Sequence, residues 1–199
     1  MMRIVAGTHR GRKLLGPRDQ TTTRPITDRV KTSLFDRLWS MGLLNEADDA
    51  LVLDVFSGTG TLGLEALSRG AGRCVFIEQD RDALDRLKRN LETLGLADRA
   101  RVMRVNALHR GWVRLVEEKE AAKVQVAFVD PPYALLHRAE GAGQIAALVE
   151  ELRSVMEPGG VLVLRLEKQV APLTVPGFEE PQSHTYGGMT LHFYRPAGE

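Results

Sequence analysis

Four stretches of the chain are apolar with little interruption, Leu51 to Val55, Arg73 to Ile77, Val124 to Val129 and Val161 to Leu166, and the more polar segment 101–105 reads as a further strand between the second and third of them. Short continuous runs bounded by turn residues predict strands buried on both faces. Between them the period lengthens. Segments 61–70, 80–94, 107–118 and 143–156 carry apolar residues at helical spacing, and Gly70 and Gly95 close the first two. An earlier helix is expected over residues 28–40, with Thr27 or Asp28 as its cap and Gly42 ending it. Val30, Leu34, Phe35 and Leu38 share one face of it, and Arg29 and Lys31 are assigned to the opposite face. Strands alternating with helices predict an α/β fold: a mostly parallel sheet with helices on both faces. Pro158-Gly159-Gly160 is expected to turn into the fifth strand. The segments 175–178 and 191–194 predict a terminal hairpin added to the sheet. At the head, Met2 to Gly7 is strand-like, and Thr8 to Leu14 reads as a small basic β-hairpin or arm. The expected division is an arm over residues 1–26 and a main domain over residues 27–199.

Composition narrows the setting. A chain of 199 residues with 43% hydrophobic and 27% charged positions is ordinary for one globular domain. No apolar run approaches membrane-spanning length and no apolar signal core opens the chain, so a cytoplasmic protein with no membrane partner is expected. The single Cys74 excludes an internal disulfide and a cysteine-based metal cluster, and its strand-like context predicts a small buried hydrophobe. Five histidines lack ligand spacing, so no metal is expected. Charge is uneven. Residues 1–31 hold eight basic residues against Asp19 and Asp28, a balance of +6 within a chain of net +1. Clustered, glycine-spaced cations at Arg3, Arg10, Arg12, Lys13, Arg24 and Arg29 point to phosphate contacts with nucleic acid. A solvated basic tail is the plainer alternative.

Two loops carry candidate chemistry. The first follows the strand at 51–55. Asp54, Phe56 and Ser57 precede Gly58, Gly60 and Gly63, which match G-x-G-x-x-G on a strand–turn–helix. A dinucleotide would set its pyrophosphate on this turn. S-adenosylmethionine would use the same turn without a phosphate. Glu78, ending the second strand, would accept ribose hydroxyls in either case. Three features favour S-adenosylmethionine: Asp54 inside the strand end, Asn106-Ala107 placed to reach an adenine, and a second loop at the end of the fourth strand. That second loop is Asp130-Pro131-Pro132-Tyr133. The two prolines end the strand in a stiff loop. A carboxylate and backbone carbonyls there can accept from an amino group while the Tyr133 ring stacks on a flat base. All of these lie at the carboxyl ends of strands, where open α/β sheets bind ligands.

Taken together, the chain resembles the bacterial 16S rRNA guanine-N2 methyltransferases that modify guanine 966 of the small subunit. The resemblance runs nearly end to end. It rests on Arg3-Ile4-Val5-Ala6-Gly7 with Arg10 to Leu14, on Arg24-Pro25-Ile26-Thr27-Asp28-Arg29-Val30-Lys31, on Asp54 to Leu67, on Asp130 to Tyr133, and on Tyr186-Gly187. It implies a Rossmann-like class I methyltransferase with a seven-stranded sheet. It also implies S-adenosylmethionine as cofactor, and 16S rRNA or the assembling small ribosomal subunit as partner. Asp130 and the Pro131 carbonyl would hold the exocyclic N2 of a flipped guanine, and Tyr133 would stack on it. Phe56 and Ser57 would line the cofactor pocket. Thr27 would either touch the methionine end or only cap its helix. Adenine-N6 methylation of DNA or other RNA is the alternative reading, and a non-catalytic RNA-binding module a second one. A monomer is expected.

Overall fold

The computed structural model describes residues 2–18, 26–44, 49–109 and 111–198. Its strands are β1 (Leu51–Val55), β2 (Arg73–Glu78), β3 (Ala100–Arg104), β4 (Val124–Val129), β5 (Met156–Glu167), β6 (Gln182–Tyr186) and β7 (Met189–Tyr194). They form one seven-stranded sheet in the order β3-β2-β1-β4-β5-β7-β6. The first five pair in parallel, and β7 runs antiparallel to both of its neighbours. The helices are α1 (Asp28–Ser40), α2 (Thr61–Ser68), α3 (Arg81–Leu94), α4 (Gly111–Lys119), α5 (Tyr133–Leu136) and α6 (Gly141–Leu152).

Alternation along each strand sorts the interior into two cores. Val52, Val126, Phe128, Val161 and Val163 face α1, α2 and α3. Leu51, Leu53, Val55, Ala127, Val129, Leu162 and Leu164 face α4 and α6. Each fully buried Leu, Val or Phe contributes about 1.5–3 kcal/mol, so both faces are firmly covered. On the first face, Phe35 of α1 meets Phe128 of β4 at 5.6 Å between ring centroids. The edge strands are the polar ones: β3 and β6 keep most residues half-buried or exposed, as edges that resist further pairing do.

Several expectations change in detail. The basic arm is not a two-stranded ladder. It turns back through a single antiparallel bridge, Arg3 to Lys13, and its Ile4 and Leu14 are buried in the first core. The terminal hairpin is built from β6 and β7; Val175 to Phe178 instead turns at Gly177, which has a positive φ. β5 starts earlier than expected and carries Pro158-Gly159-Gly160 through an irregularity in its pairing with β4. α4 starts later because Asn106 Oδ1 accepts from Leu108 N at 3.0 Å, a side-chain turn that holds the backbone off the helical path. Lys31 is not on an exposed face. It is 1% exposed, and its ammonium donates to Arg3 O at 2.5 Å and pairs with Glu65 at 3.5 Å.

Candidate functional site

Strand order reverses between β1 and β4, so the crevice above their carboxyl ends is where this topology leaves room for a ligand. The period-two alternation puts Asp54 on the α2 side of β1 and Asp130, one residue past β4, on that same side. Asp130 N donates to Val55 O at 3.2 Å, which prolongs the β1–β4 pairing and fixes the start of the proline loop. Arg165 of β5 stands on this side too, beside Asp130. A cavity opens among them, lined by Asp54, Phe56, Ser57, Gly58, Glu78, Asp130, Pro132 and Arg165, with Met2, Pro17 and Ile26 from the arm side.

The glycine loop is held from both ends by carboxylates. Asp54 Oδ2 accepts from Gly63 N at 2.8 Å inside α2. Glu78 accepts from Gly58 N, Gln79 N and Asp80 N, each at 2.8 Å. The three glycines have different duties. Gly58 and Gly60 take positive φ values of 55° and 86°, which the tight turn requires. Gly63 has no special backbone; a Cβ there would come within 2.3 Å of Phe76 and 2.7 Å of Cys74 Sγ, so it lets α2 lie close on β2. Phe56 adopts φ 60°, an unusual conformation for an aromatic residue, just where β1 gives way to the loop. Ser57 Oγ is buried in this wall with no hydrogen-bond partner among the described residues.

The electrostatics are distinctive. Three carboxyl groups converge on the cavity, and Arg165 is the one cation among the described residues that line it. Burial pushes the Asp54 carboxyl well above the ordinary range; the Gly63 N–H pulls it partly back, and Asp130 and Glu78 push it further up. Arg165 is 3% exposed. Its Nε donates to Asp130 Oδ1 at 2.6 Å, and its guanidinium carbon lies 5.7 Å from the centre of the Tyr133 ring. Burial alone would lower the guanidinium pKa; the Asp130 charge and hydrogen bond, with Tyr133, outweigh it and the net shift is upward.

The other expected site residues divide. Pro131 is buried and Tyr133 opens α5, half-buried. Gly60 caps α2, and a Cβ there would meet Leu87 at 2.4 Å. Asn106 and Ala107 do not line the cavity. Asn106 makes its local turn, and Ala107 O accepts from Trp112 Nε1 at 3.0 Å. Thr27 is the α1 cap, accepting from Val30 N at 3.4 Å, and lines a neighbouring cavity with Asp28, Arg29 and Lys31. Of the expected phosphate-contacting cations, Arg3, Arg10, Arg12 and Lys13 of the arm and Arg29 of α1 are all exposed. Arg3 pairs with Asp28 at 2.7 Å, and Arg12 donates to Thr93 O at 3.0 Å. Arg24 lies outside the described residues. Sequence reasoning missed Arg165, although a lone arginine inside the apolar run Val161 to Leu166 is itself a signal, because a cation there requires an acid beside it. It also missed Glu65, which has no exposure at all and accepts from Val5 N, Ala6 N and Arg69 Nε at 2.8–2.9 Å.

Comparison with known proteins agrees with this architecture. "Ribosomal RNA small subunit methyltransferase D" of Haemophilus influenzae is 32% identical over 195 residues, 98% of this chain and 93% of that one. The protein of the same name from Escherichia coli is 38% identical over 161 residues, 81% of this chain and 69% of that one. The solved structure of yhhF from Escherichia coli superposes with a TM-score of 0.75 at 31% identity, covering 98% of this chain and 97% of that one. The model for "Conserved hypothetical protein 95" matches residues 2–195, spanning arm, glycine loop, proline loop and terminal hairpin alike, and the chain belongs to that family.

Proposed function

We propose that this protein is an S-adenosylmethionine-dependent methyltransferase that methylates the exocyclic N2 of a guanine in small-subunit ribosomal RNA. One observation carries the choice of cofactor: of the three glycine amides of this turn, two are held by acids and the third by the Ser57 carbonyl. A dinucleotide needs free N–H groups and a positive field at this turn for its pyrophosphate. Here Asp54 holds Gly63 N and Glu78 holds Gly58 N, and the cavity carries three carboxyl groups against one guanidinium. That balance repels a diphosphate and suits a ligand bearing an ammonium and a sulfonium.

The residues fit such a ligand in named roles. Asp54 would face the ammonium, and the Glu78 carboxylate would use its remaining lone pairs on ribose hydroxyls. Ser57 Oγ supplies a buried hydroxyl that lacks a partner among the described residues. When bound, S-adenosylmethionine supplies an electrophilic methyl group on a good leaving group. The remaining work falls to the protein. A guanine N2 lone pair is delocalised into the ring, so the amine must be held and desolvated. Asp130 and the Pro131 carbonyl would accept its two hydrogens, and Tyr133 would stack on the base after it leaves the RNA stack. Orientation is the main source of rate. The small-subunit substrate is supported by the names of the relatives at 32% and 38% identity, and the choice of guanine N2 rests on the resemblance carried by residues 24–31 and 130–133.

The test is transfer of tritium from labelled S-adenosylmethionine to small subunits from a strain lacking the modification, with nucleoside analysis of the product. Label in N2-methylguanosine is expected. Label in N6-methyladenine would overturn the substrate, and no label under saturating cofactor would overturn the activity.

A further inference from the structure

The Asp130–Arg165 pair ties the proline loop to a residue outside it. Arg165 comes from a different strand, 35 residues further along the chain, and its side chain is almost wholly buried. Burying a guanidinium is costly unless an acid and a defined geometry compensate it. Here the compensation is the loop carboxylate itself. Nε meets Asp130 Oδ1 at 2.6 Å, a short charge-assisted bond, while the same planar group stands 5.7 Å from the Tyr133 ring centre. Met189 of β7 adds a sulfur contact at 3.9 Å to Nη1, so the group is packed from a third side. Both residues that the proposed chemistry would use on the base, the carboxylate and the ring, therefore touch one rigid cation rooted in the centre of the sheet.

We infer that Arg165 is the positioning residue of the target-base site: it fixes the rotamer of Asp130 through Oδ1, leaves Oδ2 to accept the amine, and supports the ring on which the base stacks. This rests on the reading of the protein as a base-amine methyltransferase. A carboxylate at the end of a loop has two freely exchanging orientations. Tied through one oxygen to a buried fork, it has one, and the amine meets an acceptor whose entropy was lost during folding. Lysine cannot replace this function in full, because an ammonium offers a point charge rather than a planar fork.

The test compares Arg165→Met, Arg165→Lys, Asp130→Asn and the Arg165→Met/Asp130→Asn double variant in single-turnover methyl transfer to small subunits, with cofactor affinity measured separately. Arg165→Met is expected to slow transfer about 10²-fold, the penalty of a misplaced acceptor, with cofactor Kd and KM within about twofold of wild type. Arg165→Lys should fall between the two. In the Asp130→Asn background, removing Arg165 should cost little more, because it acts through that carboxylate. A wild-type rate in Arg165→Met, or losses that multiply in the double variant, overturns the inference. Should Arg165→Met fail to fold, Arg165→Lys decides: slowed transfer with intact cofactor affinity supports the role, and a wild-type rate removes it. The wild-type reaction separates this from the functional reading, since absence of N2-methylguanosine there strikes the proposed activity and not Arg165.

Discussion

Asp54 shows most sharply how a single side chain can trade stability for a site. It is 1% exposed on an otherwise apolar strand, and its compensation in the described structure is one backbone N–H from Gly63. Burial raises its pKa well above the ordinary aspartate value of 3.8. A raised folded-state pKa means that the folded protein holds the proton more tightly than the unfolded chain. Its contribution is therefore most favourable below about pH 3.8, and stability is lost as pH rises from there through the higher folded value. Asparagine keeps the shape and the acceptor oxygen for Gly63 N but never ionises. Asp54→Asn is thus expected to melt higher than wild type at pH 8, with the difference shrinking toward pH 4, and to bind S-adenosylmethionine at least about tenfold more weakly. Thermal melts across that range with cofactor titration check both signs; a variant less stable at pH 8, or one with wild-type affinity, removes the argument. Residues such as Asp54, Glu78 and Asp130 were legible in the sequence because each stands within one residue of the carboxyl end of an apolar strand. Arg165 was not assigned because its meaning lies in a partner on another strand.

At the scale of elements, α2 is the joint of the molecule. Its start carries the glycine loop, Gly63 lets it lie on β2, and Glu65 in its middle anchors the N-terminal arm through Val5 N and Ala6 N. Gly7 of the arm passes so close to Ser68 that a Cβ there would sit 1.8 Å from its carbonyl oxygen. Lys31 of α1 reaches the same carboxylate, and burial lowers its pKa while Glu65 works to raise it. Buried ion pairs add little by forming but cost heavily when halved. Glu65→Ala removes the counter-charge of the buried Lys31, leaving it Arg3 O alone, and strips two amides of their acceptor; it is expected to cost about 3–5 kcal/mol. Lys31→Met/Glu65→Ala should cost clearly less than the two single losses added together. Urea unfolding measures both, and additive losses would refute the coupling. Four of the five parallel strands were legible in the sequence because buried runs announce themselves by composition alone, and the half-exposed β3 by its place in the alternation of strands and helices. The arm's docking, the burial of Lys31 and the true partner of β7 were not, since each depends on which distant segments meet.

For the molecule as a whole, the arrangement of charge matters more than its sum. The first 31 residues carry +6, and the remaining residues bring the chain back to +1. The arm that carries much of this charge is not trailing in solvent: Ile4 and Leu14 bury it in the core beside α2, and Met2 and Pro17 help wall the cavity where Asp54 and Asp130 stand. A polyanion bound along the arm is therefore brought to the carboxyl ends of the strands, while the acidic cavity repels its phosphates and admits a base or a cationic ligand. Among the arm cations, Arg3 and Arg12 already hold protein partners, whereas Arg10 and Lys13 point to solvent as exposed residues. The salt dependence of rRNA binding should respond accordingly. Each phosphate contact contributes about 0.7–0.9 to the slope of log K against log salt. Arg10→Ala/Lys13→Ala should weaken binding at low salt and make the slope shallower by about 1.4–1.8, with cofactor affinity unchanged. Asp130→Asn, inside the cavity, should leave the slope where it was. Filter binding between 50 mM and 200 mM salt resolves the two. A slope that stays put in the arm variant would mean that RNA is held by some other face, and that the buried arm serves only to close the cofactor cavity.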